Sequence, residues 1–518
     1  MLSQSRRFPT AAVASPHHLA SAAGLEVLAG GGNAVDAAVA ANLALGVVAP
    51  YFCGPGGDLF AIVADRAGVR AAIASDGRAP AGADPQQVAR AAGADRMPER
   101  GALTVTVPGA VAGWFHLLER YGARPFSVVA APAVRLARKG FVVSEAAALA
   151  FSRGAATFAG AVHEEWQRRF GRLRTGDRLV QEDHARLLDL LAHDGQAAFY
   201  GGPIGRDLVA AVAAGGSAMT LEDLRAHRVL EVEPLSTRFA DSAILELPPP
   251  TQGVTAATAL GIVERAGRSS DPVQLAHLQI EAVKVALADR GAFLTDPDHM
   301  TVTPGDLLAE ERIARLAAGI DPDRAASWPP VVPTPGGTAY LCAADGDGRS
   351  ISLIQSNFMG FGSGVVLPAF GINLQNRGAQ FSLDPEAANV IAPGKRTLHT
   401  LIPSLALRDG RPWLVFGTMG GDGQAQTHVQ FYSRIATGED LQEAIAAPRW
   451  MVSPLDGTVR IESTADPSVP AGLRNLGHTV EVLGPRESVM GHAHALRYDP
   501  EGYTGATDPR TEGAVLGR

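Results

Sequence analysis

Cysteine is nearly absent: Cys53 and Cys342 are the only two in 518 residues. So few, so far apart, exclude a disulfide framework, and both are expected to be free, buried thiols. Long apolar runs are missing too. The most apolar stretch, Ala37 to Val48, is interrupted by Asn42 and closed by Pro50, which is too short to span a membrane. Arg6 and Arg7 are followed by an apolar segment that ends at Pro16, so no signal peptide is read and a cytoplasmic location is expected. An excess of one charge sign is lacking as well. The 45 Lys+Arg and 53 Asp+Glu leave −8 with both signs scattered, which excludes nucleic acid and anionic membrane surfaces and favours a small-molecule partner. "GGGN" has neither the lysine of a P-loop nor the GxGxxG spacing, and no G-x-S-x-G elbow occurs. His492 and His494 alternate in "GHAHALRY" without an acidic or cysteine partner at metal-ligand spacing, and read as structural. No metal and no cofactor is expected.

What the chain has is core-forming material, with 46% hydrophobic residues. "GGGNAVDAAVAANLALGVV" predicts an alanine-rich helix capped by Asn33, with Asp36 three residues on. "CGPGGDLFAIVAD" predicts a tight glycine loop entering a buried strand. From Pro108 to about Ile320 the pattern is mainly helical. "VQLAHLQIEAVKVALADRGAF" places Leu275, Leu278, Ala282 and Val285 at helical spacing and is expected to stop at Gly291. "LELPPPTQG", Leu245 to Gly253, reads as a rigid turn. Asp321 to Gly337 holds five prolines and two glycines, the composition of an exposed, mobile linker. Beyond it "TAYLCAAD", "SISLIQS", "WLVFGTMGG" and "AHALRYD" predict strands. Helices first and strands later suggest layers rather than independent modules.

Thr338 follows the linker directly. A threonine hydroxyl is a weak nucleophile without a base. If the Gly337–Thr338 bond is cut, the freed α-amine, with a reference pKa of about 8, becomes that base on the same residue. Gly337 gives the backbone freedom for the hydroxyl to reach the preceding carbonyl. A turn entering an ordinary strand is the other reading of the same residues.

The stretch from Thr338 to Ser382, together with "GGGNAVDAAVA", "CGPGGDLF", "VPGAVAGWFHLLERYG", "LPPPTQG", "APGKRTLHTLIP", "FGTMGGDGQ", "APRW" and "TDPR", resembles the γ-glutamyltranspeptidases, a family of N-terminal nucleophile hydrolases, over nearly the whole chain. The resemblance implies an α+β fold, a four-layer αββα sandwich with two antiparallel sheets between helical layers. It implies a precursor cut into a large subunit, residues 1–337, and a small subunit, residues 338–518, which stay paired in one core. Thr338 would be the autoprocessing and catalytic nucleophile, with Gly337 before the cut. The N–H groups of Gly420 and Gly421 would form the oxyanion hole, and Ser356 would support the nucleophile.

The substrate-reading positions depart from the family pattern. Asp76 stands where the family has an arginine, with Arg78 two residues on. His399 and Thr400 replace a serine pair; Arg377 and Gln380 replace the groups that hold an α-ammonium; Phe358 replaces an asparagine. The stretch from Phe381 to Lys395 is too short for the family's lid loop. A cation in place of an acceptor attracts a carboxylate, which implies an acidic acyl group held by Arg377 with Arg78 or His399 helping, as in the acylase-like branch that includes cephalosporin or glutaryl acylases and oxamate amidohydrolase. Hydrolysis is favoured over transfer. The alternatives are a genuine glutathione hydrolase or γ-glutamyltransferase with a rebuilt pocket, and an unprocessed, binding-only relative. Homo-oligomerisation stays open.

Overall fold

The computed structural model describes residues 5–160, 163–328 and 337–518. The helix Ala34–Val48 forms as the sequence requires. The Asn33 side chain accepts the Val35 and Asp36 N–H groups, and Asp36 reciprocates at the Asn33 N–H. Every residue of that helix is buried, because a helix with no polar face has nowhere else to go. It packs on one face of a seven-stranded sheet.

From edge to edge that first sheet runs Ala514–Gly517, Ala12–Ser15, Gly337–Ala344, Ser350–Phe358, Asp58–Asp65, Gly68–Ser75 and Leu230–Glu231. The second runs Arg6–Phe8, Gly502–Thr507, Ala493–Asp499, Arg411–Thr418, Ser404–Arg408, Ser242–Glu246 and Leu235–Phe239. Neighbours in both are antiparallel. Tyr340, Cys342, Phe60 and Ile62 of the first sheet meet Leu405, Val415 and Leu496 of the second in one buried layer. Leu341, Leu353 and Leu59 face the N-terminal helices, whereas Leu414 and Phe416 face the helices Gly253–Ala266, Pro272–Phe293 and Gly423–Ala436. The result is the expected αββα sandwich. Both sheets combine strands from before residue 321 with strands from after residue 336, so the two parts share one core. Cys53 and Cys342 are free and buried, and no described helix is long and apolar enough to cross a membrane.

Three expectations need correction. The stretch read as mainly helical also supplies Leu230–Glu231 and Leu235–Phe239, short and partly exposed edge strands, and Ser242–Glu246, a five-residue interior strand, all too short to show a clear strand pattern among the helices. The helix Pro272–Phe293 runs through Gly291. Phe293 packs with Leu294, Met300 and Leu398, and that burial outweighs a glycine's helix penalty of about 1 kcal/mol.

The linker is the third: its first part is largely exposed, as expected, but not loose. Residues 329–336 lie outside the described residues, but Asp321 to Trp328 is tied down. His277 Nε2 donates to Asp321 O at 2.8 Å, the Ala326 N–H to Glu281 at 3.1 Å, the Ala325 N–H to Leu476 O at 2.7 Å, and Trp328 Nε1 to Pro454 O at 3.0 Å. Lys284 Nζ bridges Glu281, at 2.7 Å, and Ala326 O, at 3.1 Å. Gly337 is already in a strand. Among the described residues His277, Glu281 and His478 are the one His/acid group close enough for a metal ion, but the Lys284 ammonium already supplies the cation at Glu281. Lys284→Met is expected to cost about 3–5 kcal/mol, since it strands a buried carboxylate. A thermal midpoint equal to wild type would show that the clasp contributes nothing.

Candidate active site

The strand Gly337–Ala344 pairs with Ser350–Phe358, and the ladder is irregular between Gly337 and Ala339, so Thr338 sits on a bulge at the strand's start. The pairing sets Ser356 beside it. Thr338 Oγ1 donates to Ser356 Oγ at 3.2 Å. Ser356 Oγ donates in turn to the Gly337 carbonyl at 2.7 Å and accepts the Phe358 N–H at 2.7 Å. Hydroxyl, relay and the carbonyl of the preceding peptide bond therefore lie on one hydrogen-bonded path. Thr338 is 1% exposed and Ser356 fully buried. Gly337 sits in a tight place: a Cβ there would lie 3.1 Å from Gly360 N and 3.2 Å from Tyr51 O, so the neighbouring backbone would have to give by a few tenths of an ångström.

Phe358 takes φ +75°, a left-handed conformation rare for an aromatic residue. Its N–H is held by Ser356, and the Arg377 guanidinium lies over its ring at 4.1 Å. Arg377 is 1% exposed. Nη1 donates to Thr400 Oγ1 at 3.0 Å and Gln380 Oε1 at 3.2 Å, but Nε and Nη2 have no partner among the described residues. Burial pulls this guanidinium down to about 9, against the fields of Asp58 and Asp76. A buried cation with two open donors is a receptor for an anion.

Asp58 lies directly across the ladder from Ser356. It accepts the Gly109 N–H at 3.2 Å, Gln375 Nε2 at 3.1 Å and His399 Nε2 at 3.2 Å. Burial pushes its carboxyl up to about 8, with Arg377 opposing. His399 is held neutral by burial and by Arg377. Its Nδ1 accepts the Leu401 N–H at 3.3 Å, so the proton sits on Nε2 and points at Asp58. Both ring nitrogens are occupied, so His399 has no free donor to offer an acyl group. Arg78 stands apart. Its guanidinium is half exposed and bonds Asp296 Oδ2 at 3.2 Å and Gly394 O at 2.8 Å, drawn there by a buried carboxylate. The cation nearest buried Asp76 is Arg396, at 3.9 Å. Arg78 and His399, expected to help, are thus engaged with other partners, whereas Arg377, held by Thr400, keeps two open donors.

Gly420 and Gly421 take φ +141° and +55°, conformations that glycine adopts without strain. Their N–H groups have no acceptor among the described residues, while Gly423 N donates to Gly420 O at 2.8 Å. The pair precedes the helix Gly423–Ala436, whose positive end adds to the field. Met419 N bonds His492 O at 3.2 Å, His492 packs edge-on against Phe52, and Phe52 O accepts the Asn357 N–H at 3.0 Å, which ties this loop to the Ser356 strand. Gln252 closes the circuit: Nε2 donates to Thr400 O at 2.9 Å and to Gly421 O at 2.8 Å. Asp58, Gln252 and Asp422 lie in the visible motifs "CGPGGD", "LPPPTQG" and "MGGD", but their residue types alone assign no role. Arg290 carries no local signal, and Arg396 only its place in "APGKRTLHTLIP"; the fold brings both in.

A hydroxyl next to a relay, two open N–H groups at a helix start and a buried arginine suit acyl transfer. The profile of the Gamma-glutamyltranspeptidase family matches residues 20–518. The chain is 40% identical over 519 residues to the oxamate amidohydrolase proenzyme of Klebsiella pneumoniae, covering 97% of both chains. It is 31% identical to the glutathione hydrolase proenzyme of Escherichia coli, covering 96% of this chain and 90% of that one. The crystal structure of cephalosporin acylase from Bacillus halodurans superposes with TM-score 0.94 at 36% identity, covering 100% of this chain and 97% of the other. With profile, sequence relatives and fold in agreement over nearly its full length, the chain belongs to the gamma-glutamyltranspeptidase family and is an autoprocessed amide hydrolase.

Proposed function

We propose that Thr338 is the nucleophile of both self-cleavage and amide hydrolysis, and that the acyl group it accepts carries a carboxylate. The hydrogen-bonded path from Thr338 Oγ1 through Ser356 to the Gly337 carbonyl carries this reading. In the unbroken chain Thr338 Oγ1 attacks the Gly337 carbonyl carbon. Its proton passes towards Ser356, whose own proton stabilises the developing oxyanion. The C–N bond breaks, the nitrogen takes up a proton, and water hydrolyses the resulting ester. Residues 1–337 and 338–518 then form the large and small subunits. The new α-amine takes the Thr338 hydroxyl proton when a substrate amide is attacked, and Gly420 and Gly421 receive the oxyanion. The amine leaves and water releases the acid.

Ser356→Ala is expected to slow self-cleavage by about 10²-fold, the usual cost of one oxyanion donor. Band conversion on a denaturing gel after rapid purification would measure it, and wild-type conversion would remove Ser356 from the mechanism. Because the base is an amine, kcat/KM should rise with pH and level off near an apparent pKa of about 8. A profile falling through that range would exclude the amine as base.

For substrate, the open Nε and Nη2 of Arg377 support a dicarboxylic acid monoamide, from oxamate, which the Klebsiella relative's name carries, up to glutaryl amides. A γ-glutamyl group would also need a home for its ammonium. Asp58 already accepts three hydrogen bonds, which weighs against the glutathione-type reading. Glutaryl-p-nitroanilide turned over faster than γ-glutamyl-p-nitroanilide is the expected result, and the reverse order would favour that second reading.

A further inference from the structure

We infer that Gln252 is a positioning residue that fixes the distance between the oxyanion loop and the acyl pocket; this rests on reading Gly420 and Gly421 as the oxyanion hole. Gln252 is fully buried at the start of the helix Gly253–Ala266. Its backbone N–H donates to His399 O at 2.8 Å, and its side chain spans Thr400 O and Gly421 O. Thr400 is the residue whose hydroxyl holds Arg377. One carboxamide thus joins the segment that carries the anion receptor to the segment that carries the oxyanion donors.

Its orientation is fixed chemically. Arg290 Nη1 donates to Gln252 Oε1 at 2.9 Å, and a guanidinium only donates, so Nε2 must face the two carbonyls. The same Arg290 pairs with Asp422, next to Gly421. Gly421 lies between two peptide planes. The preceding one is held by Gly423 N on Gly420 O, and the following one by Gln252 and by Gln424 N on Gly421 O at 3.2 Å. Holding both planes holds the φ of +55°, and with it the direction of the Gly421 N–H. No other uncharged side chain of this length supplies two donors and one acceptor: glutamate would set a carboxylate against two carbonyls, and leucine would remove all three bonds, leaving Gly421 O to Gln424 N and Arg290 to Asp422 alone.

The test uses the full chain with Gln252→Glu and Gln252→Leu. Self-cleavage should persist, because the Gly337 carbonyl is held by Ser356 instead. kcat on a glutaryl anilide should fall about 10²-fold, as for a displaced oxyanion donor. Affinity for an alkylboronic acid, whose tetrahedral adduct on Thr338 fills the oxyanion hole, should fall by a similar factor, while inhibition by glutarate, which needs only the Arg377 pocket, stays within about threefold. Should both variants precipitate, Arg290→Gln, which frees the carboxamide to turn, should show a smaller loss in the same direction. Unchanged kcat and boronate affinity in whichever variant folds overturn the inference, as does an equal loss of glutarate and boronate binding. A wild-type enzyme that is processed and active yet binds no boronate overturns the oxyanion-hole reading itself, and the inference with it.

Discussion

Thr338→Ala is expected to accumulate as one uncut chain with amidase activity lower by roughly 10⁵- to 10⁶-fold, because the change removes the only atom that attacks in either reaction. The fold should survive. The hydroxyl makes one described hydrogen bond, to Ser356, and that serine keeps the Gly337 carbonyl and the Phe358 N–H. Thr338→Ser separates chemistry from structure, since it retains an oxygen at the same position and should still be cut. An alanine variant that is cut at wild-type rate would move the nucleophile elsewhere. A serine variant that stays whole would show that the methyl group, and so the rotamer it fixes, is needed to aim the hydroxyl.

Arg377→Ala should change what is hydrolysed rather than whether anything is. A charged hydrogen bond to a buried carboxylate is worth about 2–5 kcal/mol, so kcat/KM for a glutaryl amide should fall by roughly 30- to 5,000-fold. A neutral butyryl amide, which never used the guanidinium, should change by less than about tenfold. Arg377→Lys should not rescue the loss, because a single ammonium cannot offer two parallel donors or lie flat over the Phe358 ring. Some stability should be lost to the cavity, since Arg377 is fully buried against Phe358, but no ion pair is broken among the described residues. Retained preference for acidic acyl groups in Arg377→Ala would assign the carboxylate to another residue.

Local chemistry explains which features could be read in advance. The capping box at Asn33, the buried helix behind it and the strand that opens at Gly337 follow from short-range rules, and each was visible in the sequence. Thr338 was less legible, since glycine, threonine and a proline-rich approach read equally as a turn entering a strand, and its role came from the family resemblance. The pocket was only half legible. Arg377 and Thr400 stand out as departures from a pattern and do meet in space. Arg78 looked equivalent because it is close in sequence to Asp76, but Asp296, more than two hundred residues away, captures it. His399 looked like a donor, and Asp58 and the Leu401 N–H consume both its nitrogens. The anchored segment Asp321–Trp328 misled for a related reason. Its composition is that of a linker, and its order comes from Glu281, Lys284, Pro454 and Leu476, which no local pattern connects to it.

The central claim is that one residue supplies nucleophile and, once cut free, base. Intact-mass analysis of the purified wild-type protein, before and after brief reaction with a glutaryl ester, tests it most directly. The account predicts two polypeptides, residues 1–337 and 338–518, with the glutaryl mass added only to the fragment that begins at Thr338. An uncut chain that hydrolyses amides, or an acyl group found on the larger fragment, would contradict it.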